Sequence, residues 1–203
     1  MKEQIIGPLA DRYRDYAEDI YCSGKHLLEL INDLLDTAKI EAGQLEYFEE
    51  PVCLREILDE AIRLTRLSEG DARHRLDLDV AGSLPGLLGD RRGLKQVLIN
   101  LLGNAAKFTP EGGHIGAMVR MTDGSMEIVI SDNGIGIPKD RIADLCRPFV
   151  QVENVLSRRH QGSGMGLFIT KALVEQHGGT LVIESGLGEG TTVRVRLPLE
   201  PSN

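Results

Sequence analysis

The sequence predicts an α+β fold in two layers, a mixed β-sheet covered by helices on one face and preceded by a long helix. Residues 11–39 place apolar side chains at a seven-residue period. Beyond them the pattern switches repeatedly between a helical period and strict alternation, without the regular strand–helix–strand units of a parallel sheet. A chain of 203 residues with 41% hydrophobic content can bury one good core and carry a smaller appendage.

Taken in order, residues 1–6 precede the turn pair Gly7-Pro8 and read as the stub of an earlier helix. Residues 11–39 carry one stripe of Tyr13, Ile20, Leu27 and Leu34 and a second of Ala17, Gly24, Ile31 and Ala38. Such seams wind against a partner helix, so a homodimer through residues 11–39 is expected; the competing reading is an amphipathic helix packed on the chain's own domain. The period changes after Glu41-Ala42-Gly43, which sets a boundary between a helical segment, 1–43, and a globular domain, 44–203.

Residues 44–52 alternate like a strand, and residues 54–67 put Ile57, Leu58, Ala61, Ile62 and Leu64 on one helical face. A strand at 75–80 and a Gly/Pro loop at 82–89 lead to Asp90, an N-cap for a helix whose Leu94, Val97, Leu98, Leu101, Leu102 and Ala105 face the core. That helix stops at Thr109-Pro110-Glu111-Gly112-Gly113. Residues 114–121 and 126–131 form a hairpin across Asp123-Gly124, a strong turn pair. A short helix lies near Asp140, and the polar stretch 147–163 reads as a mobile flap. Residues 165–177 form a helix closed by Gly178-Gly179, and 180–184 and 191–199 complete the sheet as alternating strands.

Composition removes several function classes. A net charge of −8 argues against a nucleic-acid surface, which needs clustered Lys and Arg. The one basic cluster, Arg158-Arg159-His160, fits local phosphate contact. Cys22, Cys53 and Cys146 are far apart and odd in number, which gives no disulfide framework or zinc spacing and fits a reducing, cytoplasmic setting. Apolar runs fall short of the ~20 residues that span a bilayer, and Met1-Lys2-Glu3-Gln4 lacks a signal-peptide pattern. The expectation is a soluble chain.

The functional signal is an ordered array. Asn100 and Asn104 stand one helical turn apart, followed by Asp132-Asn133-Gly134-Ile135-Gly136, Gly162-Ser163-Gly164-Met165-Gly166-Leu167 and Gly188-Glu189-Gly190-Thr191-Thr192. Glycine lets backbone approach a phosphate or a flat ring with no Cβ between them. Asparagine is a poor helix former, so two of them at i and i+4 in an apolar helix require partners or a ligand, and amide oxygens suit magnesium. Asp132 can accept a hydrogen bond from an exocyclic amine; taken alone it equally fits a capped turn at a strand end. The segment ending in Leu167 runs into a helix, whose N-terminus can hold phosphate oxygens. Lys107 can offset phosphate charge or simply meet the helix C-terminal dipole. Neither a G-x-x-x-x-G-K-[ST] loop nor a dinucleotide fingerprint in its strand-to-helix setting occurs.

These residues carry a resemblance. Leu98-Ile99-Asn100-Leu101-Leu102-Gly103-Asn104-Ala105-Ala106-Lys107-Phe108-Thr109-Pro110 resembles the N box of bacterial sensor histidine kinases. Residues 132–136 resemble their G1 box, Pro148-Phe149 the F box, residues 162–167 the G2 box and residues 188–192 the last glycine motif. The match in order and spacing runs from the first helix to Leu199. It implies an ATP-binding domain of the Bergerat type, an α/β sandwich shared with gyrase, mismatch-repair and chaperone ATPases.

By that resemblance Asn104 is the magnesium ligand, with Asn100 and Lys107 beside the phosphates as the catalytic pair. Asp132 binds the adenine amine, Gly134, Gly136, Gly164 and Gly166 shape the pocket, and residues 147–161 form the ATP lid with Arg158 and Arg159 as helpers. Phe149, Gly162, Met165, Leu167 and Thr192 border the same nucleotide. Hydrolytic relatives typically carry a glutamate base at the position of Asn100, so an asparagine there suits transfer to an acceptor better than fast hydrolysis.

Residues 23–43 resemble the second helix of the kinase dimerisation and phosphotransfer domain. The phosphoacceptor histidine belongs to the first, in a His-Glu-x-x-x-Pro-type H box. None of His26, His74, His114, His160 and His177 stands in that pattern, so the acceptor is expected outside this chain. The implied function is γ-phosphoryl transfer from Mg-ATP to a histidine, with a response-regulator receiver domain downstream. The alternatives are a nucleotide-sensing pseudokinase scaffold and a hydrolytic ATPase of the chaperone or gyrase type.

Overall fold

The computed structural model describes residues 11–65, 67, 74–150 and 163–200. Helix α1 spans Asp11–Glu41 and is followed by β1 (Glu50–Val52), α2 (Leu54–Thr65), β2 (His74–Val80), β3 (Leu87–Gly89), α3 (Arg91–Phe108), β4 (Gly113–Thr122) and β5 (Ser125–Asp132). Then come α4 (Lys139–Ile142), α5 (Gly166–Gln176), β6 (Thr180–Gly186) and β7 (Gly190–Pro198).

The main sheet has five strands in the order β2-β4-β5-β7-β6. Its β2–β4 pair is parallel and the rest are antiparallel, so the sheet is mixed, as the irregular alternation of elements predicts. Inward side chains alternate along each strand: Ile115, Ala117 and Val119 on β4, Met126, Ile128 and Ile130 on β5, Val193, Val195 and Leu197 on β7. Against them pack Ile57, Leu58 and Ala61 of α2, Leu98 and Leu102 of α3, and Ile169 and Val174 of α5. Each fully buried large aliphatic contributes about 1.5–3 kcal/mol relative to exposure, which makes this layer contact the dominant stabilising term.

Two expectations are corrected by tertiary pairing. Of the alternating run 44–52, only Glu50–Val52 is strand, and the Gly/Pro loop 82–89 ends in Leu87–Gly89, which pairs with it antiparallel. Strands this short cannot display a period, so only the partner reveals them. The helix expected at 54–67 stops at Thr65.

Helix α1 packs on the chain's own domain through its last turns and leaves an apolar stripe exposed. Gly43, at φ +64°, closes it: Gly43 N–H donates to Ile40 O at 3.0 Å and Gln44 N–H to Lys39 O at 2.8 Å, a Schellman cap. Its last turns dock on the chain's own α5 side, where Thr37 is buried, Leu30, Asp33 and Ile40 are half-buried, and Ser163 Oγ donates to Asp33 Oδ2 at 2.6 Å. Tyr13, Ile20, Leu27 and Leu34 are exposed by 51–73%. The predicted seam is thus a separate stripe from the docked one. The stub expected at 1–6 lies outside the described residues.

Candidate nucleotide site

Helix α3 organises the site. Asp90 caps it as expected, accepting from Arg92 N–H at 3.0 Å, and its apolar face locks the helix onto the sheet. One turn separates Asn100 from Asn104 and another separates Asn104 from Phe108, so the three stack along one side. At the first, Asn100 Nδ2 donates to Gly166 O at 3.1 Å and to Thr170 Oγ1 at 3.2 Å, joining the N box to the start of α5. At the last, Phe108 O accepts from Ile135 N–H at 3.2 Å, joining it to the G1 segment. Asn104 lies between these two anchors, half-buried, and its side chain makes no hydrogen bond among the described residues. A half-buried carboxamide with open valence is the donor group expected of an oxygen-seeking cation that keeps waters and substrate phosphates around it. Lys107, next on the helix, is half-buried with Nζ 5.1 Å from the Phe108 ring centroid, and burial pulls its ammonium below the ordinary value.

Asp132 ends β5 on the helix-facing side of the sheet. Its Oδ1 accepts from Gly134 N–H at 2.8 Å, and the Thr191 amide also donates to it. Burial pushes the carboxyl up, and these two amides only partly oppose it. A carboxylate so placed has acceptor capacity left for an amine. The glycines beside it are sterically required. A Cβ on Gly134 would overlap Phe108 O, and one on Gly136, at φ +64°, would overlap Gly186 O. The turn after β6 clamps this loop, with Gly188 N–H on Ile135 O at 2.8 Å and Ile137 N–H on Ser185 Oγ at 2.8 Å.

At the G2 segment Gly164 takes φ +70°, and Met165, buried, starts α5 with no side-chain cap of its own. A Cβ on Gly166 would stand at ordinary contact distance, 3.8 Å, from Asn100 Cγ, and Leu167 packs on the core. Ser163 Oγ accepts from Met165 N–H at 3.2 Å while donating to Asp33.

Thr192 is not where the sequence pattern puts it. The register pairs Asp132 with Thr191 and Ser131 with Thr192, and directly paired residues share a face. Thr191 therefore stands beside Asp132, and Thr192 faces the other way. The alternation of Val193, Val195 and Leu197 contains that signal, since it carries inward pointing back to Thr191. A groove between α4 and β6, lined by Lys139, Ile142, Glu184, Ser185 and Thr192, includes neither Asp132 nor Asn104. Phe149 is 60% exposed at φ +63°. Arg158, Arg159 and Gly162 lie outside the described residues. Sequence reasoning missed Gln96, an i,i+4 partner of Asn100 within α3, and Thr170, whose contact with Asn100 is set only by the meeting of α3 and α5.

Comparison with known proteins gives the family. Residues 89–201 match the family model described as histidine kinase-, DNA gyrase B-, and HSP90-like ATPase. Histidine protein kinase DivJ of Caulobacter vibrioides is 45% identical over 203 residues, covering 98% of this chain and 33% of DivJ. The non-motile and phage-resistance protein of the same organism is 43% identical over 208 residues, covering 100% of this chain and 25% of that protein. Full-length ShkA in complex with AMPPNP shares 29% identity at a TM-score of 0.79, covering 98% of this chain and 41% of that one. The chain thus spans a quarter to a third of the two curated relatives.

Proposed function

Because the chain belongs to the histidine kinase-, DNA gyrase B- and HSP90-like ATPase family, we propose that it is the ATP-binding catalytic region of a sensor histidine kinase. It donates the γ-phosphoryl of Mg-ATP to a histidine located outside these residues. The observation that carries this reading is the position of Asn104, unengaged by other described side chains between an α3–α5 anchor at Asn100 and an α3–G1 anchor at Phe108.

Asp132 accepts the adenine amine, with Thr191 beside it and Gly134 and Gly136 admitting the ring. Asn104 would hold magnesium through its amide oxygen, and the ion would supply charge to offset that of the phosphates. Lys107 adds a cation whose burial strengthens its attraction to phosphate. A neutral imidazole is already nucleophilic, so what falls to the chain is to orient the donor in line and to withhold a base. Asn100 fits that role, because its Nδ2 protons are taken by Gly166 and Thr170 and a carboxamide cannot deprotonate water. The exposed seam of Tyr13, Ile20, Leu27 and Leu34 supports pairing with a second copy, and a receiver domain is the expected next acceptor. No helix among the described residues is long and apolar enough to cross a membrane, and a cytoplasmic setting accords with the free cysteines.

The test supplies the chain with γ-labelled ATP, magnesium and a separate two-helix phosphoacceptor domain from a histidine kinase of this family. Acid-labile, base-stable label on that domain is expected. Steady phosphate release without label returns the chain to the hydrolytic branch, and nucleotide binding without either outcome makes it a scaffold.

A further inference from the structure

Asn100 sits in a polar knot that the nucleotide chemistry does not by itself require. Thr170 is fully buried, and its hydroxyl donates its one proton to Gly166 O at 2.7 Å. The Thr170 oxygen is therefore left as an acceptor, and Asn100 Nδ2 donates to it at 3.2 Å while giving its other proton to Gly166 O at 3.1 Å. On the other side Gln96 Nε2 donates to Asn100 Oδ1 at 2.9 Å. The orientation of this amide follows from its neighbours. Rotated by half a turn, Asn100 would point its oxygen at the carbonyl of Gly166, which has no proton to offer, and its NH2 at the donor of Gln96.

We infer that Gln96 and Thr170 are positioning residues for the nucleotide site, holding the Asn100 amide in one orientation and thereby fixing the first turn of α5 against Asn104. The inference rests on the reading that this first turn and Asn104 hold the triphosphate together. Gly166 is the pivot, because its carbonyl takes two of the hydrogen bonds. When either partner of the amide is lost, one Asn100 group is left unpaired between the two helices, and sliding α5 away from α3 relieves it. That slide separates the phosphate-facing amides of α5 from Asn104. A displacement of this kind matters because phosphate and metal contacts have steep distance dependence.

The test measures the dissociation constant for Mg-ATP by calorimetry at 25 °C, alongside urea unfolding, on the whole chain. Thr170→Val is expected to weaken Mg-ATP by about 5- to 150-fold, the factor corresponding to one unpaired buried group. Thr170→Ser, which keeps the hydroxyl, is expected to stay close to the unaltered chain. Gln96→Leu, at a half-buried position that tolerates change, is expected to weaken Mg-ATP similarly and keeps the inference falsifiable if the Thr170 variant folds poorly. In an Asn100→Ala background neither substitution should add a further loss, because the amide they orient is gone.

A Thr170→Val chain that unfolds at lower urea yet binds Mg-ATP normally overturns the inference, since that is a purely structural role. So do a loss that Ser fails to prevent and losses additive with Asn100→Ala. Should the unaltered chain bind Mg-ATP without phosphorylating the supplied domain, the kinase reading falls, while the dissociation constants still decide this inference.

Discussion

The backbone N–H of Asp90 donates to Nε2 of His177 at 3.0 Å, and Nδ1 of the same ring meets Leu173 O at 2.7 Å. A carbonyl can only accept, so Nδ1 carries the proton and Nε2 is the bare acceptor, which defines a neutral imidazole. The ring thereby ties the N-terminus of α3 to the C-terminus of α5. Tyr47 meets it edge-on at 5.0 Å, and Gly89 and Gly93 leave it room, a Cβ on Gly89 reaching within 2.9 Å of the ring.

Replacing that ring with one lacking nitrogen isolates the hydrogen bond from the packing. His177→Phe should lower stability by about 1–3 kcal/mol, the cost of stranding a buried amide N–H, with a shift in urea midpoint and an unchanged m-value. Gly89→Ala should destabilise through contact with the ring, and the combined variant should fall short of the sum because both act on one side chain. A stable His177→Phe chain would mean that Asp90 N–H finds another acceptor.

Asp132 gives the opposite relation between stability and function. Burial raises its carboxyl above 3.8 in the folded chain. Its favourable contribution is therefore complete below the ordinary value and is lost as pH rises through the raised one, so the ionised form at neutral pH is a cost to the fold. Asp132→Asn should hold or raise the unfolding midpoint at pH 7, since the amide oxygen still accepts from Gly134 N–H. Adenine-nucleotide affinity should fall about 10- to 100-fold, the scale of a hydrogen bond to a charged group. In the unaltered chain affinity should decline as acid protonates Asp132, and this acid limb should vanish in the variant; calorimetry across pH reads both.

The order of the site was legible in the sequence because glycine and asparagine are conspicuous where they are locally expensive. Gly134 and Gly136 are dictated by close backbone approach, and Asn100 and Asn104 stand out in an apolar helix. The alternation of β4, β5 and β7 and the cap at Asp90 were equally readable, since each is a local pattern. What remained hidden depends on partners distant in sequence. Strand β3 exists through β1, Thr170 matters through Asn100 across 70 residues, and Asp33 meets Ser163 across 130. The side of the sheet that Thr192 faces is different in kind: the alternation of Val193, Val195 and Leu197 contained it.

On the solvent face of the sheet Glu127 is covered by arginines from neighbouring strands. Arg120 Nε donates to Oε2 at 2.9 Å and Arg196 Nε to Oε1 at 3.1 Å, with Arg194 Nη1 3.7 Å away. Burial alone would raise this carboxyl, but the hydrogen bonds of Arg120 and Arg196 and the charges of Arg120 and Arg194 hold it below its ordinary value. Its stabilising contribution is thus present above 4.5 and lost as pH falls through the lower folded value. Only a single layer of guanidinium separates the carboxylate from water, so the scale is that of an exposed network. Glu127→Gln should lower stability by about 1 kcal/mol at low salt. The difference should shrink toward zero at about 1 M salt and below the titration of Glu127, and a salt-independent loss would assign the role to packing instead.

Two glycines with the same backbone sign separate conformational cost from steric cost at the nucleotide loop. Gly136 and Gly188 adopt φ +64° and φ +78°, and both lie in the contact between the G1 segment and the turn after β6. A Cβ on Gly188 meets nothing within 4 Å, whereas one on Gly136 overlaps Gly186 O. Gly188→Ala should therefore cost about 1 kcal/mol, the penalty of a left-handed alanine, and leave Mg-ATP affinity within about twofold. Gly136→Ala carries that penalty and must also push the loop off the turn, at about 3 kcal/mol in total, taking the loop between Asp132 and α4 with it. Its nucleotide affinity should fall by at least about tenfold even where the chain remains folded. Equal losses of affinity in the two variants would show that flexibility of the turn, rather than the seating of Gly136 on Gly186, shapes the adenine side of the site.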